Sequence, residues 1–321
     1  MKIFRKEKLS NGRRHIYLFG IKIASYKKKK HSSTNKYLSH IHYKKYDDLA
    51  IDIKKNINKI PSDIDLIVGV PRSGIIPAYM LSLALNKQVC SLPEFLSGKF
   101  GENGISRKIQ TPKEIKKVLI VDDTVNMGTS ITKVKDRILS VYGDKYEYVY
   151  MAIYGVNNDS YKFMNICLDF LPQPRMFQWN YLNHAFLENA GFDIDGVLCI
   201  DPTEKENDDG KNYEHFILNA RPLYIPKVKI GAIITSRLEK YRPQTEKWLK
   251  QHNIEYGKLY MLDGVTAEER RNQNLHAKYK ANIYKKHPEL KMFVESDINQ
   301  AKEIAKLTNK QVFCATNDEL Y

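Results

Sequence analysis

Cysteine is scarce: the 321 residues include four, Cys90, Cys167, Cys199 and Cys314, spaced far apart. There is no Cys-x-x-Cys pair and no Cys/His spacing of a zinc module. This argues against a disulfide framework or zinc site and predicts reduced thiols in a cytosol. Long apolar runs are missing too, since none approaches the roughly 20 residues that a membrane-spanning helix needs. The best N-terminal run, residues 16–24, is broken by Gly20 and Lys22 and leads into lysines, so no signal peptide is expected. Acidic side chains are nearly absent from the first 45 positions, where Glu7 faces fourteen Lys and Arg. Of the formal net charge of +15, +13 resides there. The basicity belongs to that segment, and the nearly neutral remainder is long enough for two domains.

The informative stretch that is present is residues 118–130. Val118-Leu119-Ile120-Val121 runs into Asp122 and Asp123, then through Thr124, Val125, Asn126 and Met127 to Gly128, Thr129 and Ser130. Apolar positions follow at helical spacing, Ile131, Val134 and Ile138. The pattern predicts a buried strand, a loop and a helix N-terminus. The first N–H groups of a helix have no intrahelical acceptor and lie at the positive end of its dipole, so they suit a phosphate. Gly128 allows close approach, and Thr129 and Ser130 add hydroxyl donors. Asp122 and Asp123 fall at the carboxyl end of the strand, where open α/β sheets bind ligands. Two acceptors beside a phosphate cradle suit the vicinal hydroxyls of a ribose 5-phosphate.

This segment resembles the phosphoribosyl-pyrophosphate (PRPP) motif of type I phosphoribosyltransferases. The resemblance implies PRPP as substrate, with Asp122 and Asp123 at the ribose and residues 124–130 around the 5-phosphate. One strand–helix unit earlier, residues 64–70 read as a strand leading into Pro71-Arg72-Ser73-Gly74 and an apolar helix from Ile75 to Leu85. That unit is similar to the family's pyrophosphate loop. There an Arg fork and exposed N–H groups face a diphosphate leaving group, implicating Arg72, Ser73 and Gly74. The polar, glycine-rich residues 96–113 correspond to the family's closing loop and carry the cations Lys99, Arg107 and Lys108. Residues 157–189, with Phe177, Trp179 and Tyr181, read with residues 37–60 either as the acceptor-selecting hood or as a core patch joining two domains.

A second constellation opens at Gly191-Phe192-Asp193-Ile194-Asp195-Gly196-Val197-Leu198. Two Asp residues two apart in an extended segment point to one side. The residues resemble motif I of haloacid-dehalogenase-like (HAD) phosphatases. By that resemblance Asp193 attacks phosphorus, while Asp195 protonates the leaving alcohol and later activates water. The strand over 229–234 ends in Thr235-Ser236, of which Thr235 is the better match for the phosphoryl-holding hydroxyl and Ser236 the alternative. Lys280, preferred over Lys278, matches the charge-offsetting lysine. Met292-Phe293-Val294 leads into Glu295-Ser296-Asp297, an acidic motif that by the same resemblance binds Mg²⁺ together with Asp193 and Asp195, through Glu295 or Asp297. The intervals 193–235 and 235–280 leave no room for a large cap, and an open phosphatase site admits large esters.

The predicted architecture is α/β with two doubly wound domains. A basic leader (1–36) precedes a type I phosphoribosyltransferase fold with its hood (37–188) and a Rossmann-like HAD fold with minimal cap (189–321). A transferase fused to a phosphatase implies moving 5-phosphoribose from PRPP to a glycan acceptor and then removing the phosphate. Related pairs place β-ribofuranose in bacterial capsule or lipopolysaccharide. The acceptor would be lipid-linked, in a cytoplasmic enzyme whose leader either touches the inner membrane face peripherally or is a solvated tail. A small hairpin is predicted in the leader, with Gly20 at its turn. Nucleic acid is not an expected partner, and the sequence leaves a homo-oligomer open. A nucleobase phosphoribosyltransferase with an attached phosphatase and a PRPP-sensing regulator are the alternatives.

Overall fold

The computed structural model describes residues 4–8, 13–18 and 21–27 (backbone only), 40–100, 109, 114–264, 266, 269 and 275–321. Arg107 and Lys108 of the expected closing loop lie outside these residues. The chain forms two compact units, Met1–Ser39 and His40–Tyr321. In the first, β1 (Phe4–Lys8), β2 (Arg13–Leu18) and β3 (Ile21–Lys27) make an antiparallel sheet in the order β1-β2-β3. Arg13 pairs with Lys27 and Leu18 with Ile21, so the predicted hairpin is the β2–β3 pair.

The second unit opens with a short strand, β4 (His42–Lys44), and the helix Tyr46–Asn56. Its first large sheet contains β5 (Leu66–Gly69), β6 (Gln88–Ser91), β7 (Lys117–Thr124), β8 (Glu147–Gly155) and β9 (Ile166–Phe170), ordered β6-β5-β7-β8-β9 and parallel throughout. Parallel strands are covered on both faces and therefore read as continuous apolar runs. Accordingly, Val118 and Ile120 enter one core cluster and Leu119 and Val121 another. Asn86 in the left-handed conformation ends the helix Ile75–Leu85.

The second large sheet contains β11 (Ala190–Phe192), β12 (Ile230–Leu238), β13 (Tyr256–Leu262), β14 (Met292–Glu295), β15 (Gln311–Cys314) and β16 (Glu319–Leu320), ordered β13-β12-β11-β14-β15-β16. All neighbours are parallel except β15 and β16. The chain is thus α/β with parallel sheets. Among the described residues, no helix is long and apolar enough to cross a membrane.

Parts of residues 40–60 and 157–189 touch both sheets. β10 (Arg175–Phe177) pairs with β4. Tyr43 and Tyr181 both pack on Phe313, with ring centroids 5.4 and 4.7 Å apart. Gln311 Nε2 donates to the Ile41 carbonyl at 3.0 Å, and Gln178 Nε2 donates to Asp318 at 2.8 Å. Ile41, Met176 and Tyr181 belong to the same core cluster as Phe192, Trp248 and Val294.

Candidate active sites

The first site forms where β7 ends. Gly128, at φ +72°, caps the helix Thr129–Tyr142. A Cβ on Gly128 would stand 2.2 Å from the Phe163 ring, so both conformation and space demand glycine. Thr132 N is the first donor back into the helix, reaching the Gly128 carbonyl at 2.9 Å. The N–H groups of Thr129, Ser130 and Ile131 precede it and have no helical acceptor. Asp122, Thr124, Asn126, Met127, Gly128, Thr129 and Ser130 line one cavity of about 330 Å³. A cradle of N–H and hydroxyl donors beside one carboxylate can hold a phosphorylated sugar.

Gly74 joins the second loop to this site. A Cβ there would meet the Val70 carbonyl at 2.6 Å, the Val121 carbonyl at 2.7 Å and Asp122 Cα at 2.9 Å. The backbone of Arg72-Ser73-Gly74 is pressed against the end of β7, and the Arg72 side chain is exposed.

The two adjacent acids part company. Burial pushes the Asp122 carboxyl up to about 8, and the neighbouring Asp123 adds to the rise. Asp123 is 4% exposed and does not line the cavity. Its Oδ2 accepts the Trp179 indole N–H at 2.7 Å. Asp122 lines the cavity, while Asp123 accepts from Trp179 and stays near enough to raise the Asp122 carboxyl.

Arg175 secures the same junction. Buried, it donates to the carbonyls of Gly155 at 3.1 Å, Leu171 at 3.2 Å and Val125 at 2.9 Å. Desolvation lowers its pKa, though three carbonyls and the nearby Asp123 favour the charge.

The second site lies at the ends of β11, β12 and β14. Asp193 donates its N–H to the Val294 carbonyl at 3.0 Å, which fixes it at the strand terminus. Beyond it the chain is not extended, as expected, but coils. Val197, Leu198 and Cys199 all donate N–H to the Ile194 carbonyl, and Gly196 sits at φ +71°. The coil still leaves Asp193 and Asp195 on one cavity of about 610 Å³, lined also by Asp201, Ser236, Arg237, His276, Lys280, Glu295 and Asp297.

Lys280 is the centre of this cavity. It is 1% exposed and donates to Asp193 Oδ2, to Glu295 Oε2 at 2.7 Å and to Gln300 Oε1 at 3.1 Å. Burial opposes its charge, but the attraction of Asp193 and Glu295 outweighs it and holds the ammonium protonated. Lys278 is exposed. Asp195 has a different partner: Arg237 grips it through Nη2 at 2.6 Å and Nε at 3.1 Å. Burial raises the Asp201 carboxyl, and Asp195 and Asp193 add to that rise.

Thr235 is buried away from the cavity lining, and Ser236 is the hydroxyl on the wall. The register with β13 shifts between Ile234 and Leu238, and in that stretch Ser236 and Arg237 both reach the cavity. Asp193, Asp195, Glu295 and Asp297 all line this one cavity, each with its own partner. Asp193 and Glu295 share Lys280, whereas Asp195 is held by Arg237 and Asp297 accepts the Gln300 N–H at 2.8 Å as a helix cap. Among the described residues, no group of three or more His, Cys, Asp or Glu is arranged to hold a metal. The hard oxygens of Asp193 and Glu295 suit Mg²⁺ as a pair of ligands.

Trp179, Arg237, Asp201 and His276 were not legible as site residues from sequence. The one available signal was the spacing of Arg237, two residues beyond Thr235 on a strand already implicated.

Comparison with known proteins agrees with the first site. Residues 33–151 match the phosphoribosyl transferase domain model, so a phosphoribosyltransferase domain is present. The matched solved structures include a Helicobacter pylori xanthine-guanine-hypoxanthine phosphoribosyltransferase, 18% identical, covering 44% of this chain and 93% of that one, with a TM-score of 0.33. An orotate phosphoribosyltransferase from Aeropyrum pernix is 16% identical over 52% of this chain and 85% of its own, with a TM-score of 0.27. Comparison with curated proteins gives no match.

Proposed function

We propose that this chain is a bifunctional enzyme. Its first site transfers 5-phosphoribose from PRPP to an acceptor, and its second, a HAD-like phosphatase, removes the 5-phosphate. The observation that carries this reading is the pairing, in one compact unit, of a phosphate cradle beside Asp122 with a buried lysine clasped by two carboxylates. A salvage enzyme gains nothing from dephosphorylating its own nucleotide, whereas an enzyme that installs plain ribofuranose does. A glycan acceptor, lipid-linked in capsule or lipopolysaccharide synthesis, fits that logic. The open phosphatase cavity and the basic leader support it, with contact at the cytoplasmic membrane face as part of the proposal.

In the transferase, Arg72 and the Ser73–Gly74 backbone receive the departing diphosphate, and residues 126–130 hold the 5-phosphate. Asp122 accepts from the ribose hydroxyls as C1 gains positive character. In the phosphatase, Asp193 attacks phosphorus, Lys280 offsets the charge, and Ser236 holds a phosphoryl oxygen. Mg²⁺, held by Asp193 and Glu295, would supply Lewis-acid stabilisation of the phosphoryl oxygens.

Mass spectrometry of a glycan panel incubated with PRPP and Mg²⁺ tests this. Wild type should add pentose, and Asp193→Asn should retain transfer yet accumulate the phosphopentosyl product. Fully dephosphorylated product from Asp193→Asn refutes the nucleophile. If free nucleobases give nucleotides or nucleosides and glycans give nothing, the attached-phosphatase salvage reading replaces this one. PRPP binding without turnover would instead favour a regulator.

A further inference from the structure

Five carboxylates line the phosphatase cavity among the described residues: Asp193, Asp195, Asp201, Glu295 and Asp297. The two permanent cations on its wall are already engaged, Lys280 with Asp193 and Glu295, and Arg237 with Asp195. The acids divide by depth. Asp193 is 4% exposed and Glu295 1%, so a phosphoryl group attacked by Asp193 sits on the cavity floor. Asp201 and Asp297 are exposed and stand where the cavity meets solvent. Asp297 is turned to the helix it caps, accepting the Gln300 N–H. Asp201 comes back over the motif itself. A Cβ on Gly196 would stand 2.9 Å from Asp201 Oδ2, one residue past Asp195. The backbone fixes this return: Ile200 donates its N–H to the Arg221 carbonyl at 3.0 Å, and Leu223 donates to that of Leu198 at 2.9 Å. Burial, and then the charges of Asp195 and Asp193, raise the Asp201 carboxyl, so these acids share one field.

We propose that Asp201 sets the substrate range of the phosphatase: it admits a phosphate ester of an uncharged sugar and turns away one that carries a second anionic group, such as PRPP. This rests on the two-site reading above. With its 5-phosphate on the floor, PRPP presents its diphosphate a furanose ring further out, towards the Asp201 carboxylate. Like charges brought close oppose binding. The ribofuranoside 5-phosphate made by transfer has lost that diphosphate and meets no such repulsion. PRPP stripped of its 5-phosphate would lack the group that residues 126–130 hold in the first site. Asp201 thus lets a phosphatase share a chain with a transferase without consuming its donor.

The test compares kcat/KM for loss of the 5-phosphate from methyl β-ribofuranoside 5-phosphate and from PRPP, followed by mass spectrometry in the full chain with Mg²⁺. Wild type should prefer the methyl riboside. Asp201→Asn removes the charge at constant size and should narrow that preference about 10-fold, chiefly through KM for PRPP. Asp201→Glu keeps the charge and should keep the preference. Raising sodium chloride from about 0.05 to about 0.5 M should also narrow the preference of wild type, because salt screens exposed charges. A wild type with no preference, or a preference that Asp201→Asn leaves unchanged, overturns the inference while the phosphatase reading stands. If Asp201→Asn does not fold, the salt series decides, and a preference insensitive to salt overturns the inference. Wild-type protein that dephosphorylates neither ester overturns the phosphatase reading itself.

Discussion

Trp179 gives its indole N–H to Asp123 Oδ2 at 2.7 Å, and that bond ties the segment after β10 to the carboxyl end of β7. The indole stacks on Phe177, centroids 4.9 Å apart, and touches Tyr46 at 5.6 Å. Asp123 thus holds an aromatic wall beside Asp122.

Trp179→Phe keeps the stacking and deletes the donor. A buried acceptor left without its partner costs about 1–3 kcal/mol. The urea midpoint should fall accordingly, and PRPP-dependent pyrophosphate release should weaken. A variant as stable as wild type would show that water or another donor replaces the indole.

Asp122 predicts a pH effect of definite sign. Its carboxyl titrates near 3.8 when unfolded and is raised to about 8 in the fold, by burial first and Asp123 second. Between these values the folded state binds the proton more tightly. The group's contribution to stability is therefore fully present below 3.8 and is lost as pH rises towards about 8. Asp122→Asn should be more stable than wild type above pH 8, by on the order of 1 kcal/mol, with the gain shrinking as pH falls towards roughly 4. Urea titrations at the two pH values decide it: an equal difference at both contradicts the assignment. PRPP transfer should be lost in the same variant.

Lys280→Met leaves Asp193 and Glu295 buried with no countercharge. Breaking a buried pair from one side costs about 3–5 kcal/mol. Adding Glu295→Gln should recover part of that loss, because one of the two stranded charges disappears. If the double variant is no more stable than the single one, the clasp around Lys280 is not what holds this site together.

Gly74→Ala places a methyl 2.6 Å from the Val70 carbonyl and 2.7 Å from that of Val121. Backbone cannot swing aside as a side chain can, so the loop must lift from β7 at a cost of about 1–3 kcal/mol. Calorimetric titration with PRPP should show weaker binding. Unchanged affinity would separate this loop from the ligand.

The sequence by itself determined the order of strands and helices and the strand ends where the chemistry collects. These are local matters: Val118–Val121 is apolar because a central parallel strand is covered on both faces, and Gly128 is glycine because its φ is positive. It also singled out Lys280 through its helical setting. Only the tertiary structure decided which neighbouring residues share a site. Asp122 lines a cavity while Asp123 accepts from Trp179, and Ser236 and Arg237 reach the second cavity where the register of β12 with β13 shifts. Trp179 meets Asp123 across 56 positions and Arg237 meets Asp195 across 42. Such pairings are set by how sheets and loops pack, and no local periodicity encodes them.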